Sequence, residues 1–328
     1  MKTMRRRQFL NLAANLAAMP LVLRAARAQN YPSRPVRWIV GAGAGSGPDV
    51  AARLVAPGLS DRLGQSVVID NRPGAGGNIG TQAVVNAPPD GYTILALADS
   101  HAINATLYDN LNFNFARDIV PVASIVRVPF ILVINPSVPV RSVPELIAYA
   151  KTNPGKLRLA SSGNGTVSHV AGELFKMMLG VTMLNVPYRS SPPVFTDLIA
   201  GHVHVYFGAL PLSIEHIRAG KLRALATIAP ARSELLPDIP TMADFVPNYD
   251  ASALYGVGVV KDTPVEIVDR LQKEINAVIA EPKVKAQLAV IGTPVAMSAA
   301  EYGKVIANDI EKWAKVIRAA NIKPGWSP

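Results

Sequence analysis

The sequence of 328 residues contains no cysteine, which excludes disulfide bonds, thiolate chemistry and a lipid-modified N-terminal cysteine. The body of the chain also has no apolar run of about 18 residues, the length that indicates a membrane-spanning helix. No lysine occurs between Lys2 and Lys151. A phosphate-binding loop of the G-x-x-x-x-G-K-[ST] type is therefore excluded from this part of the chain.

Residues 1–28 have the features of an export signal: a basic start, an apolar middle rich in Ala and Leu, and small residues ending at Ala28. Arg6 and Arg7 open the segment RRQFL, which resembles the twin-arginine signal, and ordinary secretion is the alternative route. Cleavage near Ala28 leaves 27 basic against 23 acidic residues, a net charge of +4. We therefore predict a periplasmic protein with no nucleic-acid partner.

From residue 34 onward, short β-branched runs alternate with helix-forming stretches of about a dozen residues, which is typical of α/β folds. We predict mostly parallel sheets flanked by helices. Two such series, residues 29–127 and 128–252, precede a segment with too few strands to form a domain. Residues 253–328 are therefore expected to return to the first series, which gives two lobes joined by a hinge of two crossing segments.

Three helix starts carry the capping-box pattern, in which Ser or Thr is followed by Glu three residues later. The patterns begin at Ser142, Thr263 and Ser298. Pro264 follows Thr263 and suits the first position of a helix. Helices are therefore predicted to begin directly after Ser142, Thr263 and Ser298.

The segment VGAGAGSGPD, residues 40–49, lies between an apolar run and a helix-forming stretch, where backbone N–H groups commonly bind an anion. Its glycines do not fit G-x-G-x-x-G in any frame, although Asp70 ends the next strand, where a ribose-binding acid would lie. A carboxylate needs only N–H donors and a hydroxyl, and it is the favoured ligand. Asp49 is predicted to cap the helix by accepting backbone N–H bonds, and a β-branched residue at Gly45 to block the anion.

A second strand, Ser/Gly turn and helix start occurs in LASSGNGTVSHVAGELF, residues 159–175. This pattern supplies another array of N–H and hydroxyl donors. We expect the two arrays to face each other across a cleft between the lobes.

Three segments carry a family resemblance: GQSVVIDNRPGAGGNIG, NPGKLRLASSGNGTVSHVAGELFKM and VPYRSSPPVFTDLIAGHV. With the rest of the mature chain in order, they resemble the Bug-type receptors, the periplasmic solute-binding proteins of tripartite tricarboxylate transporters. The resemblance implies a two-lobed periplasmic-binding-protein fold, the Venus flytrap. It also implies that a small carboxylate, either a di- or tricarboxylate or an aromatic acid, is bound between the lobes and delivered to membrane permease subunits. No catalysis and no cofactor are expected.

By position, the resemblance assigns ligand contacts to both lobes. Those of the first lobe are Gly43, Ala44, Gly45, Ser46, Asp49, Ser100 and His101. Those of the second lobe are Ser161, Ser162, Gly163, Gly165, Thr166, His169, Tyr188, Arg189, Gly208 and Ala209. Gly208 and Ala209 stand where many family members have Asp-Asn, and this difference argues against an amino-acid ligand.

Two other functions remain as alternatives. An exported NAD(P)-dependent oxidoreductase would account for Asp70 and the twin-arginine pattern. A receptor that reports to a sensor kinase would use the same ligand-bound form. Hydrolysis is not indicated, because the chain has no G-x-S-x-G. No metal site is expected, since His202 and His204 have no third ligand at a recognisable spacing.

Overall fold

The computed structural model describes residues 31–229, 232–233 and 235–324. The export signal predicted for residues 1–28 lies outside the described residues. The strands, in chain order, are β1 (Val36–Val40), β2 (Val67–Asn71), β3 (Thr93–Leu97), β4 (Ile119–Val128), β5 (Phe130–Ile134), β6 (Arg158–Ser161), β7 (Leu184–Pro187), β8 (Val205–Ala209), β9 (Arg223–Thr227), β10 (Ala253–Val260) and β11 (Thr293–Pro294). The helices are α1 (Gly47–Leu63), α2 (Asn78–Val85), α3 (Asp99–Leu107), α4 (Phe115–Asp118), α5 (Val143–Thr152), α6 (Val167–Leu179), α7 (Ser191–Ala200), α8 (Leu210–Arg218), α9 (Val265–Ala280), α10 (Pro282–Ala289) and α11 (Ala299–Ala319).

The strands form two sheets flanked by helices, which confirms the predicted two-lobed α/β fold. The first sheet has the order β11-β4-β10-β3-β1-β2 and the second has the order β7-β6-β8-β5-β9. Both sheets are mixed, so the expectation of mostly parallel strands needs correction. Strands β1 and β6 each have two parallel neighbours, whereas β10 and β5 run antiparallel to both of theirs.

The antiparallel pairs arise where the chain crosses between the sheets. Strand β4 leads through Pro129 into β5, and residues 228–252 lie between β9 and the return to the first sheet in β10. Because one crossing strand leaves the first sheet and the other enters it, β4 and β10 run in opposite directions. The predicted lobe limits, at residues 127–128 and 252–253, lie at these crossings and stay a prediction.

The central strands are buried because they are continuous apolar runs rather than alternating ones. Trp38 and Ile39 of β1 are fully buried, as are most residues of β3 and β5. Helix α11 buries Tyr302 and Trp313 and packs against α3, β4 and α6, so it contacts elements of both sheets. Among the described helices, none has both the length and the apolar character needed to cross a membrane.

The three predicted capping boxes had different outcomes. At the start of α5, Ser142 Oγ accepts from Glu145 N as expected, whereas Glu145 Oε2 accepts from Arg141 N rather than from Ser142 N. At the start of α11, Ser298 Oγ accepts from Glu301 N and Glu301 Oε2 accepts from Ser298 N, as expected. The box at Thr263 is wrong: α9 begins after Pro264, which occupies the N-cap position. Proline cannot donate an N–H bond, and Thr263 donates its hydroxyl backward to Val260 O.

Candidate functional site

A cleft of about 360 Å³ lies between loops of the first sheet and the start of α6 beside the second sheet. Its loops follow the carboxyl ends of β1, β2, β3 and β6, the edge at which α/β proteins commonly bind ligands. The lining residues are Gly41, Ala42, Pro48, Pro73, Gly74, Gly76, Gly77, Ala96, Ala98, Asp99, Ser100, His101, Thr166, Val167 and Tyr255.

The loop after β1 and the segment 73–77 after β2 pack backbone against backbone. A Cβ on Gly41 would lie 2.9 Å from both Cα and O of Gly77, so only glycine permits this approach. Gly41 and Gly77 both line the cleft, and Gly77 is the N-cap of α2. The sequence alone predicts no ligand contact in segment 73–77. The three glycines of this segment were the signal that could have indicated one.

Asp49 braces the loop after β1 from inside. Its carboxylate is 1% exposed and accepts from Gly45 N at 2.8 Å, Arg53 Nε at 2.9 Å and Asn71 Nδ2 at 2.8 Å. Burial raises the pKa of Asp49, but these three donors outweigh burial and hold the pKa below its usual range. Asp49 thus accepts a backbone N–H as expected, but from the loop rather than from the first turn of α1.

Only the two ends of this loop line the cleft: Gly41 and Ala42 at its start, and Pro48 at its end. The residues predicted as contacts lie between or beside them and do not line it: Gly43, Ala44, Gly45, Ser46 and Asp49. Their contact with a ligand stays a prediction. A Cβ on Gly45 would meet no protein atom within 4 Å, so the space beside it is open and the predicted block of an anion stays a prediction. The φ of +78° at Gly45 means that a side chain would strain the backbone.

Ser100 and His101, both predicted contacts, line the cleft at the start of α3. The imidazole Nδ1 lies 3.1 Å from Ala98 N and 2.9 Å from Ala98 O, and the ring stacks on Phe115. Nε2 is buried and has no hydrogen-bond partner among the described residues. Burial lowers the pKa of His101 to about 4 despite the opposing effect of Ala98, so the ring is neutral at physiological pH.

Asp99 and Tyr255 also line the cleft, and the sequence did not lead us to either residue. Asp99 is 6% exposed and accepts from Leu254 N at 3.1 Å. Burial first, and the neighbouring Asp309 second, raise the pKa of Asp99 to about 7. Burial, with a contribution from Asp99, also raises the pKa of Tyr255. The available signal for Asp99 was its position directly before Ser100 in the same turn.

The turn after β6, residues 162–166, is held by a network of hydroxyl groups and is called the serine turn below. Ser168 Oγ accepts from Ser162 N at 2.9 Å. It also lies 2.9 Å from Ser162 Oγ and 2.9 Å from Thr166 Oγ1. Of the predicted contacts in this turn, Thr166 lines the cleft.

The serine turn touches the opposite side of the cleft through Gly165. A Cβ on Gly165 would overlap Leu107 of α3 and would lie 3.8 Å from Ile103. Gly163 and Gly165 have φ values of +136° and +71°, which favour glycine at both positions. The turn can therefore approach α3 because Gly165 has no side chain.

His169 and Ser161 support the serine turn and are not among the lining residues of the cleft. His169 Nδ1 accepts from Gly165 N at 3.2 Å, and Nε2 lies 3.1 Å from Asn185 Nδ2. Ser161 is fully buried, and its Oγ has no hydrogen-bond partner within the described part of the chain. Direct ligand contact by either residue stays a prediction.

Four further predicted contacts are not brought to the cleft. Tyr188 donates its hydroxyl to Asp197 Oδ2 at 2.6 Å, and burial together with Asp197 raises the pKa of Tyr188 to about 12. Arg189 is exposed to solvent. Gly208 is buried within β8, where a Cβ would collide with a neighbouring ring, and Ala209 ends the strand. The role of these residues stays a prediction.

The groups that the cleft could offer an anion are backbone N–H groups rather than side-chain cations. Neither lysine nor arginine is among its lining residues in the described chain. Helices α1, α3 and α6 begin at or next to lining residues, and α2 begins directly after Gly77. Each helix N-terminus presents free N–H groups and stabilises an anion by about 0.3–1 kcal/mol. The remaining lining is largely apolar, which suits an organic anion.

A dinucleotide site gains no support from Asp70. Its carboxylate lies 3.0 Å from Arg72 Nε and 3.9 Å from Arg37 Nη1, and it does not line the cleft. Within the described ranges, no group of three His, Cys, Asp or Glu side chains is placed to hold a metal ion.

Comparison with known proteins shows relatives along most of the chain. The family model described as the tripartite tricarboxylate transporter family receptor matches residues 51–322. BugT of Bordetella pertussis is 37% identical over 300 residues, which cover 90% of this chain and 92% of BugT.

Two solved structures share the fold. R. palustris Rpa4515 with adipate is 37% identical with a TM-score of 0.78, and the match covers 90% of this chain and 99% of Rpa4515. MatC from Rhodopseudomonas palustris with bound malate is 26% identical with a TM-score of 0.74, and the match covers 88% of this chain and 100% of MatC. The resemblance found in the sequence is thereby confirmed, and this protein belongs to the family of tripartite tricarboxylate transporter receptors.

Proposed function

We propose that this protein binds a small carboxylate anion in the cleft and delivers it unaltered to the membrane permease subunits of a tripartite transporter. The observation that carries the proposal is the convergence of α1, α3 and α6 on a cleft of about 360 Å³ with no lining cation. Rpa4515 with adipate and MatC with malate support a carboxylate ligand. The receptor family supports binding rather than catalysis.

The contacts proposed for the anion account for part of the affinity that a receptor needs. A micromolar dissociation constant corresponds to about 8 kcal/mol of binding free energy. Main-chain donors at several helix starts supply part of it, and each buried methylene of the ligand adds about 0.8 kcal/mol against the apolar lining. We infer that Ser100, His101 and Thr166 contact the ligand directly, because they were predicted from the sequence and also line the cleft.

Closure follows from the division of donors between two lobes. We infer lobes of residues 29–127 with 253–328 and of residues 128–252, and a ligand that bridges them favours the closed form. The closed form is the one that the permease subunits would recognise, with a sensor kinase as the alternative partner. We further propose that the export signal is cleaved near Ala28 and that the receptor acts in the periplasm.

The test uses the mature chain from residue 29. Native mass spectrometry is expected to detect a co-purified small acid, and calorimetry to find micromolar binding of adipate, malate, citrate or terephthalate. Thr166→Val, which keeps the shape of the side chain and removes its hydroxyl, should weaken binding by about tenfold. Thr196→Val is the matched control, because Thr196 is exposed and lies outside the cleft. Failure of all these acids to bind, or chemical change of any of them, would contradict the proposal.

A further inference from the structure

Asp99 lies where the cleft meets a smaller internal cavity. It lines the cleft on one side, and on the other a cavity of about 10 Å³ that is also lined by Tyr302 and Asp309 of α11. This cavity has about the size that one water molecule needs. Among the described residues, Asp99 is therefore the acidic residue that lines both the cleft and this cavity.

One described cation, Lys312, favours the ionised form of the Asp99 carboxylate, but it forms no ion pair with Asp99. One of its oxygens accepts from Leu254 N at 3.1 Å, and no ion pair of Asp99 occurs within the described ranges. The nearest basic group, Lys312 Nζ, lies 2.7 Å from Asp309 Oδ1 and also donates to Asp250 O at 3.1 Å. Lys312 thus forms its ion pair with Asp309. The negative charge of Asp309 in turn raises the pKa of Asp99.

The other titratable groups around Asp99 are neutral at physiological pH. Tyr302 from α11 and Tyr255 from β10 have pKa values raised well above the usual range by burial, with Asp99 adding to both. His101, two residues along α3, has a pKa lowered to about 4 by burial. None of these groups offers a positive charge, so an ionised Asp99 would be a nearly isolated buried carboxylate, which is costly.

An anion in the cleft makes ionisation of Asp99 still less favourable. A like charge within about 4–6 Å raises the pKa of a carboxyl group, whereas a neutral carboxyl group donates a hydrogen bond to an anion. Resting on the proposed function, we propose that Asp99 is a specificity-determining residue that is neutral in the ligand complex, so that the receptor takes up one proton with each carboxylate anion. The proton comes from solvent and stays on the Asp99 carboxyl group.

This coupling has a defined pH signature. Because the pKa of the ligand-free Asp99 is about 7, binding above that pH must include protonation. Affinity should be level below about pH 6.5 and should fall between pH 7 and 9, by roughly 10- to 100-fold in total. The affinity stops falling once the pH exceeds the pKa that Asp99 has in the ligand complex.

The experiment is calorimetry of adipate, malate and terephthalate between pH 6.5 and 9, where these acids are already ionised. Wild-type protein should show the fall in affinity. Asp99→Asn keeps an acceptor for Leu254 N and an N–H donor for the anion, and it should bind with a level profile. Asp61→Asn removes an exposed aspartate of α1 outside the cleft and should behave as wild type. His169, the other buried histidine near the cleft, is present in both variants, so a difference between their profiles does not come from this residue.

A second measurement does not depend on the variants. Wild-type binding at pH 8, measured in phosphate and in Tris buffer, should show uptake of about 0.4–0.8 proton per ligand, as the expected fall in affinity requires. Binding with no proton uptake, or a fall in affinity that persists in Asp99→Asn, overturns the inference and leaves the proposed function standing. A rise in affinity with pH also overturns the inference, because ligand binding would then favour the ionised Asp99 carboxylate over the neutral carboxyl group. Absence of binding at every pH contradicts the proposed function, and the inference with it.

Discussion

At the scale of single residues, two buried aspartates in the same lobe have opposite electrostatic roles. Asp49 is surrounded by three donors, one of them the Arg53 guanidinium, and its pKa is held low despite burial. Asp99 accepts from one backbone N–H and faces Asp309, so burial raises its pKa to about 7. Burial alone therefore does not decide the charge of a carboxyl group; the number and charge of its partners do.

Asp49→Ala tests the bracing of the loop after β1. The change leaves Gly45 N and Asn71 Nδ2 without their acceptor, and we expect the free energy of unfolding to fall by roughly 2 kcal/mol or more. Ligand affinity should fall with it, because the loop loses its shape. Urea unfolding and calorimetry measure the two effects. Arg53→Ala, which removes a half-exposed partner, should lower the free energy of unfolding much less than Asp49→Ala does; equal losses in both variants would argue against the brace.

The raised pKa of Asp99 also predicts how the free energy of unfolding changes with pH. Its pKa in the native state is about 7 against an ordinary value of 3.8, so the native state binds more protons than the unfolded chain between these pH values. The free energy of unfolding should therefore fall as pH rises from 4 to 7, by up to about 4 kcal/mol relative to Asp99→Asn. Urea unfolding of both proteins across this range checks the prediction. A constant difference between them would show that Asp99 has an ordinary pKa.

At the scale of elements, the site is made by the ends of strands and the starts of helices. The loops after β1 and β2 touch through Gly41 and Gly77, and this contact sets where α1 and α2 begin relative to the cleft. The side chains of these loops contribute little to the lining, which is mostly backbone and small apolar groups. Close backbone packing and the hydrogen bonds of the buried Asp49 thus position the donors.

Gly41→Ala tests that packing. Its added Cβ would lie 2.9 Å from the Gly77 backbone, so the two segments must separate. We expect a loss of about 1–3 kcal/mol in the free energy of unfolding, as for other overpacked sites, and weaker binding of adipate. Gly303→Ala in α11 is the control, because a Cβ there meets one atom, at 3.9 Å. If both variants bind and unfold alike, the contact between the glycine segments is not what shapes the site.

At the scale of the whole molecule, the chain crosses twice between its sheets, and the site spans both. The serine turn approaches Leu107 of α3 through Gly165, so the two sides of the cleft are in contact at its edge. Helix α11 packs against elements of both sheets and limits how they can move. If the proposed closure occurs, it should change the distance between Gly165 and Leu107.

Gly165→Ala should hinder closure. Its Cβ would overlap Leu107, and we expect adipate affinity to fall by about tenfold because the closed form becomes less populated. Gly155→Ala is a matched control: Gly155 has a φ of +73° against +71° for Gly165, but a Cβ there meets no atom within 4 Å. Small-angle scattering should show ligand-induced compaction in the control and less of it in Gly165→Ala. Equal compaction in both variants would show that this contact does not control closure.

The sequence by itself determined the α/β alternation, the two-lobed fold and the family, because apolar periodicity and ordered motifs are local properties that survive without tertiary information. It also indicated the start of α3 and the serine turn, where Ser100, His101 and Thr166 line the cleft. Only the tertiary structure decided that Asp99, Tyr255 and segment 73–77 share that cleft, and that strands β4 and β10 are antiparallel. These features depend on residues far apart in the chain: the neighbours of Asp99 come from β10 and α11, more than a hundred residues away, and no local pattern encodes their approach.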